Sequence, residues 1–209
     1  MSCTVIDIET VGQPLTSFPE RFHEQMLNWF DPGPADTAMD EGRRTEAERR
    51  FSLWGPTGRV IVIGMHNPDT EKSRVLAGED ERALLREFWD LVRSFQMQVT
   101  FNGKQFDFPF LLMRSAVLGI TPTVRLDCRR FSRHPHYDVR EMLTHFYLNR
   151  HGSLDFFCEL FGIPSPKTGL SGAQVGEAFA AGRLDEIAAY CEADIVATAA
   201  LYRRIKDVF

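Results

Sequence analysis

Two acidic residues near the start of the chain have the spacing of a metal-binding pair. Asp7 and Glu9 are separated by one residue in an apolar, β-branched segment. Side chains alternate along a strand, so both carboxylates should point to one face. Adjacent carboxylates repel each other, and a divalent cation bound by both removes that repulsion. Ordinary acids at the end of a strand would show the same pattern, and the pair alone does not separate the two interpretations.

The C-terminal segment contains a second candidate ligand. Residues 183–207 have the 3.6-residue periodicity of an amphipathic helix. Its apolar face comprises Ile187, Tyr190, Cys191, Asp194, Thr198, Leu201 and Ile205. Asp194 therefore lies in the buried stripe, where an unpaired carboxylate is costly, and we expect it to be protonated, ion-paired or metal-bound. Tyr190 is one turn earlier on the same face.

A third acid, Asp107, follows a predicted strand and a glycine turn within Thr100–Pro109. It has two interpretations. Asp is a favoured helix N-cap, and Pro109 suits a first helical turn. Alternatively, Asp107 is another carboxylate of the metal site. With the Asp7 and Glu9 pair before it and Asp194 after it, we prefer the metal-site interpretation.

Taken together, these motifs resemble the DEDD exonucleases of the ribonuclease H-like fold, in their tyrosine branch. The motifs are Asp7-Ile8-Glu9, Asn102–Pro109 with N-x4-D-x-P spacing, and Tyr190–Asp194 with Y-x3-D spacing. The segments His136–Val139, Ser153–Asp155 and Leu160–Pro164 are similar to stand-alone bacterial relatives of the proofreading exonuclease domain of family B DNA polymerases. The histidine branch would place a histidine five residues before Asp194, where this chain has Ala189.

The resemblance implies a 3′-to-5′ exonuclease that hydrolyses single-stranded nucleic acid, with DNA favoured over RNA, using two Mg²⁺ or Mn²⁺ ions. The implied metal ligands are Asp7, Glu9, Asp107 and Asp194, and Tyr190 would orient the attacking water. The implied partner is the 3′ end of a strand, with a polymerase or repair protein in trans as a further possibility. The alternative is an inactive ribonuclease H-like module that binds nucleic acid or protein.

Five residues are predicted to contact substrate. The resemblance implies that Thr10, Asn102 and Phe106 line the terminal nucleotide. Arg129 and Arg130 begin the run of positive charge that no acid interrupts, and they follow a predicted strand on the side of an α/β sheet where ligands usually bind. We therefore favour phosphate contacts over a solvated loop.

Three other interpretations are set aside: a zinc or disulfide site, base stacking by aromatic residues, and a metal-binding role for Asp138. The histidines at 134, 136, 145 and 151 match no zinc-finger spacing, and the four cysteines form no CxxC pair, so zinc and disulfide sites are not expected. Trp29, Phe30, Phe51 and Trp54 could stack on bases, but packing is the preferred interpretation. Asp138 is explained as the N-cap of a capping box with Glu141.

The predicted elements define an α/β fold, a mixed five-stranded sheet flanked by helices, as the ribonuclease H-like resemblance also implies. The predicted strands are 3–8, 59–66, 73–76, 97–101 and 124–128, and the predicted helices are 80–95, 106–118, 183–207 and those that begin after Asp138 and Ser153. Residues 13–58 are rich in proline and charge and form an insertion with a helix over 40–52. We treat 1–209 as a single domain.

Composition narrows the class of protein. A chain of 209 residues with 44% hydrophobic residues can bury one core. The net charge of −5 argues against a protein that coats nucleic acid by bulk electrostatics, but acidic residues concentrated around divalent ions remain compatible with a nuclease. The first residues show neither a signal peptide nor a membrane span, so we expect a cytoplasmic protein without membrane contact.

Overall fold

A mixed sheet forms the centre of the computed structural model, which describes residues 2–31, 33, 39–149, 151–167 and 169–209. The described residues form a five-stranded sheet in the order β3-β2-β1-β4-β5. The strands are β1 (Cys3–Gly12), β2 (Gly58–Asn67), β3 (Lys72–Ala77), β4 (Met97–Thr100) and β5 (His136–Asp138). The helices are α1 (His23–Phe30), α2 (Glu41–Arg49), α3 (Glu81–Val92), α4 (Asp107–Val117), α5 (Val139–Leu143), α6 (Leu154–Phe161), α7 (Val175–Ala180) and α8 (Leu184–Ile205). The predicted fold class is confirmed.

The central strand β1 sets the geometry of the site. It pairs antiparallel with β2 and parallel with β4. The register with β2 shifts between Glu9 and Thr10, because Glu9 lies opposite Val62 and Thr10 opposite Val60. Such bulges bend a strand and redirect side chains, and they are common beside active sites. This bulge falls directly after Glu9, the second carboxylate of the Asp7-Ile8-Glu9 motif, which is called the D-x-E pair below.

The two faces of β1 are covered by different helices. Ile6 and Ile8 pack into the cluster that contains side chains of α3 and α4. Val5, on the opposite face, packs into the cluster that contains Leu201 of α8. Asp7 and Glu9 alternate with Ile6 and Ile8 along the strand, so they face α8.

The location of the fifth strand was predicted wrongly. Residues 124–128 form no strand, whereas β5 pairs with β4 in parallel. The apolar alternation of 124–128 reflects burial instead, since Val124, Leu126 and Cys128 pack against the core. The side chain of His136, in β5, is fully buried and bonds the Thr100 hydroxyl at 2.7 Å.

The insertion folds as a small layer of its own. Asp40 caps α2 by accepting a hydrogen bond from the Arg43 N–H at 2.8 Å. Glu46 and Arg50, one turn apart at the end of this helical segment, form an ion pair at 3.1 Å. Phe51 is fully buried, with the Phe30 ring 5.3 Å away. Packing is therefore confirmed for these two aromatics.

In the described part of the chain, no helix has the length and apolar character needed to cross a membrane.

Candidate metal centre

The D-x-E pair lies at the C-terminal half of β1 and meets α8. Asp7 and Glu9 point to the same side, and Glu9 is only 8% exposed. Ligand atoms of Asp7, Glu9 and Cys191 lie within 4.8 Å of one another, which is close enough for one metal ion to reach them. In the described residues, no hydrogen-bond donor is recorded for the Glu9 carboxylate. A buried carboxylate without a donor requires a proton or a cation.

Asp107 joins this pair through a backbone contact. Its Oδ1 accepts a hydrogen bond from the N–H of Ile8 at 3.1 Å, so its carboxylate is held beside the strand between Asp7 and Glu9. The N-cap interpretation of Asp107 is wrong. Phe106 precedes the helix, and Asp107 is the first residue of α4. Asp107 is 3% exposed, which is far more buried than a solvated cap needs to be.

The turn before α4 is fixed by Asp138. Its carboxylate accepts hydrogen bonds from the N–H groups of Asn102 at 3.0 Å, Lys104 at 3.1 Å and Glu141 at 3.1 Å. The contact with Glu141 confirms the N-cap of α5. The Glu141 side chain is not used as a capping-box partner, because it forms a buried ion pair with Lys104. Asp138 is therefore structural, and it connects β5 to the turn that delivers Asp107.

Helix α8 brings Asp194 to the D-x-E pair. Gly64 of β2 permits the close approach of this helix to the sheet. A Cβ added to Gly64 would lie 2.8 Å from the Cys191 Sγ and 3.1 Å from two Ile195 carbons. Only a residue without a side chain fits this contact. Since Gly64 lies opposite Asp7 in the β1–β2 register, the same contact places the Asp194 turn over the D-x-E pair.

Burial raises the pKa of all four carboxylates, and neighbouring carboxylates add to the shift for three of them. Burial, and then the charges of Asp107, Glu9 and Asp194, hold the pKa of Asp7 well above its usual range. Burial and the charges of Asp194 and Asp107 do the same for the pKa of Glu9. Burial raises the pKa of Asp107 to about 7. Burial also raises the pKa of Asp194 to about 6, which the adjacent Tyr190 hydroxyl partly offsets. The four predicted carboxylates thus form one electrostatic cluster.

Tyr190 lies beside the cluster and stays protonated. Burial, followed by the charges of Asp194, Glu9 and Asp7, raises the pKa of its hydroxyl. At neutral pH this group can donate a hydrogen bond, but it cannot act as a base.

Cys191 was not predicted as part of the site. Its Sγ lies 3.5 Å from Asp7 Oδ2 and 3.7 Å from the Asp7 carbonyl oxygen. The helical stripe had placed it on the same face as Tyr190 and Asp194, which was the available signal. Its thiol is free and buried, as its place on the apolar face of the helix predicts.

The residues predicted to line the nucleotide have other contacts. The Thr10 hydroxyl donates to the Ser52 carbonyl at 2.7 Å and so connects the end of β1 to the insertion. Asn102 has a positive φ of 72°, and its side-chain oxygen accepts hydrogen bonds from Arg140 at 3.0 Å and from Tyr147 at 3.2 Å. Phe106 packs against Phe110 with ring centroids 5.6 Å apart.

The arginines after the predicted fifth strand bond within their own region. Arg129 forms a two-pronged pair with Asp127 at 2.9 and 2.8 Å, although its side chain is 78% exposed. Arg130 donates to the Phe146 carbonyl and stacks over Phe131.

The fold and the carboxylate cluster together indicate the class of protein to which this chain is similar. A family B DNA polymerase from the hyperthermophilic archaeon Pyrobaculum calidifontis superposes on 98% of this chain with a TM-score of 0.65 and 18% identity, over 24% of the polymerase. The protein therefore has the ribonuclease H-like fold of a polymerase exonuclease domain.

Residues 56–208 match the family described as a predicted 3′-5′ exonuclease related to the exonuclease domain of PolB, and the chain belongs to that family. The match begins near the end of the insertion, so it does not include Asp7 or Glu9. DNA polymerase 1 of Sulfurisphaera ohwakuensis is 32% identical over 78 residues, which are 34% of this chain and 9% of that polymerase. DNA polymerase 1 of Sulfolobus acidocaldarius is 27% identical over 96 residues, 40% of this chain and 11% of that polymerase. The chain therefore spans only a small part of these relatives.

Proposed function

We propose that the protein is a metal-dependent 3′-to-5′ exonuclease of the tyrosine branch, acting on single-stranded nucleic acid, with DNA favoured over RNA. The observation that carries this proposal is the cluster of Asp7, Glu9, Asp107 and Asp194. These are buried or half-buried carboxylates whose pKa values are raised by burial and, for Asp7, Glu9 and Asp107, also by neighbouring carboxylates. Membership of an exonuclease family supports the reaction class.

The donor set fits hard divalent cations. Carboxylate oxygens are the ligands that Mg²⁺ and Mn²⁺ prefer. Glu9 supplies a buried carboxylate with no recorded donor, and Asp7 contributes a second within reach of the same ion. A cation would remove the repulsion that now raises the pKa of these groups.

The residues divide into two proposed ligand sets. Asp7, Glu9 and Asp194 would hold one ion, and Asp7 and Asp107 would hold a second, in part through water. When bound, the pair would activate the attacking water and neutralise charge on the leaving 3′ oxygen. Tyr190, which stays protonated, would orient that water through its hydroxyl. Asp138 acts at a distance, by fixing the turn that carries Asp107.

The substrate side of the proposal rests on neighbouring residues. Thr10 and Asn102 flank the carboxylates along the chain, and Phe106 directly precedes Asp107. We propose that these three line the terminal nucleotide and that the exposed guanidinium of Arg129, with Arg130, contacts phosphate. A polymerase or repair protein acting in trans is proposed as a partner, supported by the polymerase relatives.

A polarity assay tests the reaction. A single-stranded oligonucleotide labelled at its 5′ end should give a ladder shortened from the 3′ end with Mg²⁺ or Mn²⁺, and no product with chelator. Asp194→Asn is the matched control and should remove this activity. Cleavage of a circular single strand by the purified protein would contradict an exonuclease. The same assay with matched DNA and RNA decides the substrate preference.

A second measurement tests the metal centre itself. Crystals soaked in Mn²⁺ should show ions among Asp7, Glu9, Asp107 and Asp194, about 3.5–4 Å apart where both sites fill. Strand binding without any hydrolysis would instead support the inactive binding module.

A further inference from the structure

The insertion exposes a pair of tryptophans, whereas Phe51 is fully buried. Trp29 at the end of α1 is 54% exposed and Trp54 is 44% exposed. Their rings contact edge to face, with centroids 5.8 Å apart. Trp and Tyr rings left in water offer large, flat apolar surfaces, and single-stranded nucleic acids use such rings as stacking platforms for bases. Packing within the insertion therefore does not account for this tryptophan pair.

The tryptophan pair is connected to the carboxylate cluster by a short path. Thr10 follows Glu9 and donates its hydroxyl to the Ser52 carbonyl at 2.7 Å. Leu53, which is 61% exposed, follows Ser52 and precedes Trp54. Because residues two apart in an extended chain span at most about 7 Å, the backbone of Trp54 lies close to the end of β1.

A groove with arginines on its wall is lined in part by Ser52 and Leu53, the two residues before Trp54. It has a volume of about 1180 Å³ and runs from Thr10 along α2 to α7. The arginines are Arg44, Arg49, Arg50 and Arg59. Arg44 and Arg50 pair with glutamates one helical turn away, and Arg49 pairs with Glu177 of α7 at 2.9 Å.

These ion pairs are exposed and exchangeable. The paired side chains of Arg49 and Glu177 are 61% and 63% exposed, and those of Arg50 and Glu46 are both 41% exposed. Pairs in such surroundings contribute little to stability, so a phosphate can take the place of a glutamate. The combination of stacking rings and adjacent arginines is chemically complementary to a single strand, which presents bases on one side and phosphates on the other.

We propose that the insertion is a strand-binding platform, in which bases upstream of the 3′ end stack on Trp29 and Trp54 while their phosphates contact the groove arginines. This inference rests on the proposed exonuclease function for the identity of its ligand. It assigns the insertion a role in holding the strand, separate from the carboxylates that would cut it.

The chain offers a direct optical test. It contains three tryptophans, and the third, Trp89, is 1% exposed with its indole N–H bonded to Ser115 at 2.9 Å. Quenching of tryptophan fluorescence by an added oligonucleotide therefore reports on the tryptophan pair. In chelator, where no hydrolysis occurs, single-stranded oligothymidylate should quench the wild-type protein. Absence of quenching, with binding detected by anisotropy of a labelled oligonucleotide, overturns the proposal.

Variants measure the size of the effect. In the anisotropy assay, Trp29→Ala with Trp54→Ala should weaken the Kd by at least about 5-fold, because loss of a single stacked base weakens binding by about 5- to 150-fold. The single variant Trp54→Phe keeps an aromatic ring at this position and should retain most of the wild-type affinity. The matched control is Phe156→Ala, which removes a 56% exposed aromatic from α6 and should leave the Kd unchanged. Equal affinities for all four proteins would overturn the platform.

Hydrolysis assays separate this inference from the proposed function. The double tryptophan variant should have a raised KM on a long oligonucleotide, an unchanged KM on a dinucleotide and an unchanged kcat. A wild-type protein that binds with quenching but never hydrolyses would refute the exonuclease and leave the platform intact. Normal hydrolysis with an unaltered KM in the double variant would refute the platform alone. Self-association abolished by the double substitution, without any change in oligonucleotide affinity, would identify the tryptophan pair as a protein contact and also refute it.

Discussion

Replacing Gly64 by alanine should separate α8 from the sheet and thereby disturb the carboxylate cluster. The added Cβ would lie 2.8 Å from the Cys191 Sγ and 3.1 Å from the Cδ1 and Cγ2 of Ile195. Ordinary contacts between such atoms are about 3.5–4.0 Å, so relief of the overlap requires a shift of about 0.5–1 Å. Ile195 lies next to Asp194, and Cys191 contacts Asp7. The shift therefore acts at the metal centre.

Two magnitudes follow from that displacement. Overpacking of a closed core contact costs about 1–3 kcal/mol in the free energy of unfolding. A misplacement of about 1 Å in a catalytic group lowers a rate by about 10²-fold. Gly64→Ala should therefore lower both stability and the single-turnover rate of hydrolysis, and it should weaken Mn²⁺ binding because Asp194 withdraws from Asp7.

Urea denaturation, Mn²⁺ titration and single-turnover hydrolysis would be measured on the same preparation. The matched control is Gly42→Ala, an exposed position in the first turn of α2 where the nearest atom to a new Cβ is 3.4 Å away. That change should leave the rate and metal affinity as they are and stabilise the helix slightly. If Gly64→Ala lost stability but kept wild-type metal affinity and rate, the close approach of α8 would not determine the geometry of the site.

Four further outcomes are expected. Tyr190→Phe should slow the chemical step by about 10²-fold with unchanged Mn²⁺ affinity, measured by single-turnover kinetics, and an unchanged rate would remove the tyrosine from the mechanism. Mn²⁺ affinity should rise as pH passes through 6 and 7, because Asp194 and Asp107 have pKa values of about 6 and about 7 and must lose their protons to bind; a flat calorimetric profile would contradict this. In the metal-free protein the same raised pKa values contribute stability that is present below about pH 4 and lost as pH rises through 6 and 7. Lys104→Ala should cost about 3–5 kcal/mol in urea denaturation, since it leaves Glu141 buried without its cation, and Lys104→Ala combined with Glu141→Gln should recover part of that loss.

The sequence predicted those parts of the site that regular periodicity places. Alternation along β1 put Asp7 and Glu9 on one face, and the helical stripe put Asp194 on the face of α8 that meets the sheet. It did not predict β5, because three residues with two polar side chains carry no strand pattern. The imidazole of His136 can be buried because both ring nitrogens have hydrogen-bond partners. Its Nδ1 bonds the carbonyl oxygen of Asp127, and its Nε2 bonds the hydroxyl of Thr100. The sequence pattern around His136 does not reveal these partners.

The roles of the acids could not be assigned from spacing either, because they depend on which donors surround each carboxylate. Asp138 looked like a simple helix cap, and it is one, but it also accepts N–H groups from Asn102 and Lys104 in another segment. Three donors satisfy its charge without an ion, even though burial raises its pKa. Glu9 is also buried, at 8% exposed, and none of the described residues donates a hydrogen bond to its carboxylate. Burial is common to both carboxylates, so the number of donors distinguishes the structural acid from the one that requires a cation.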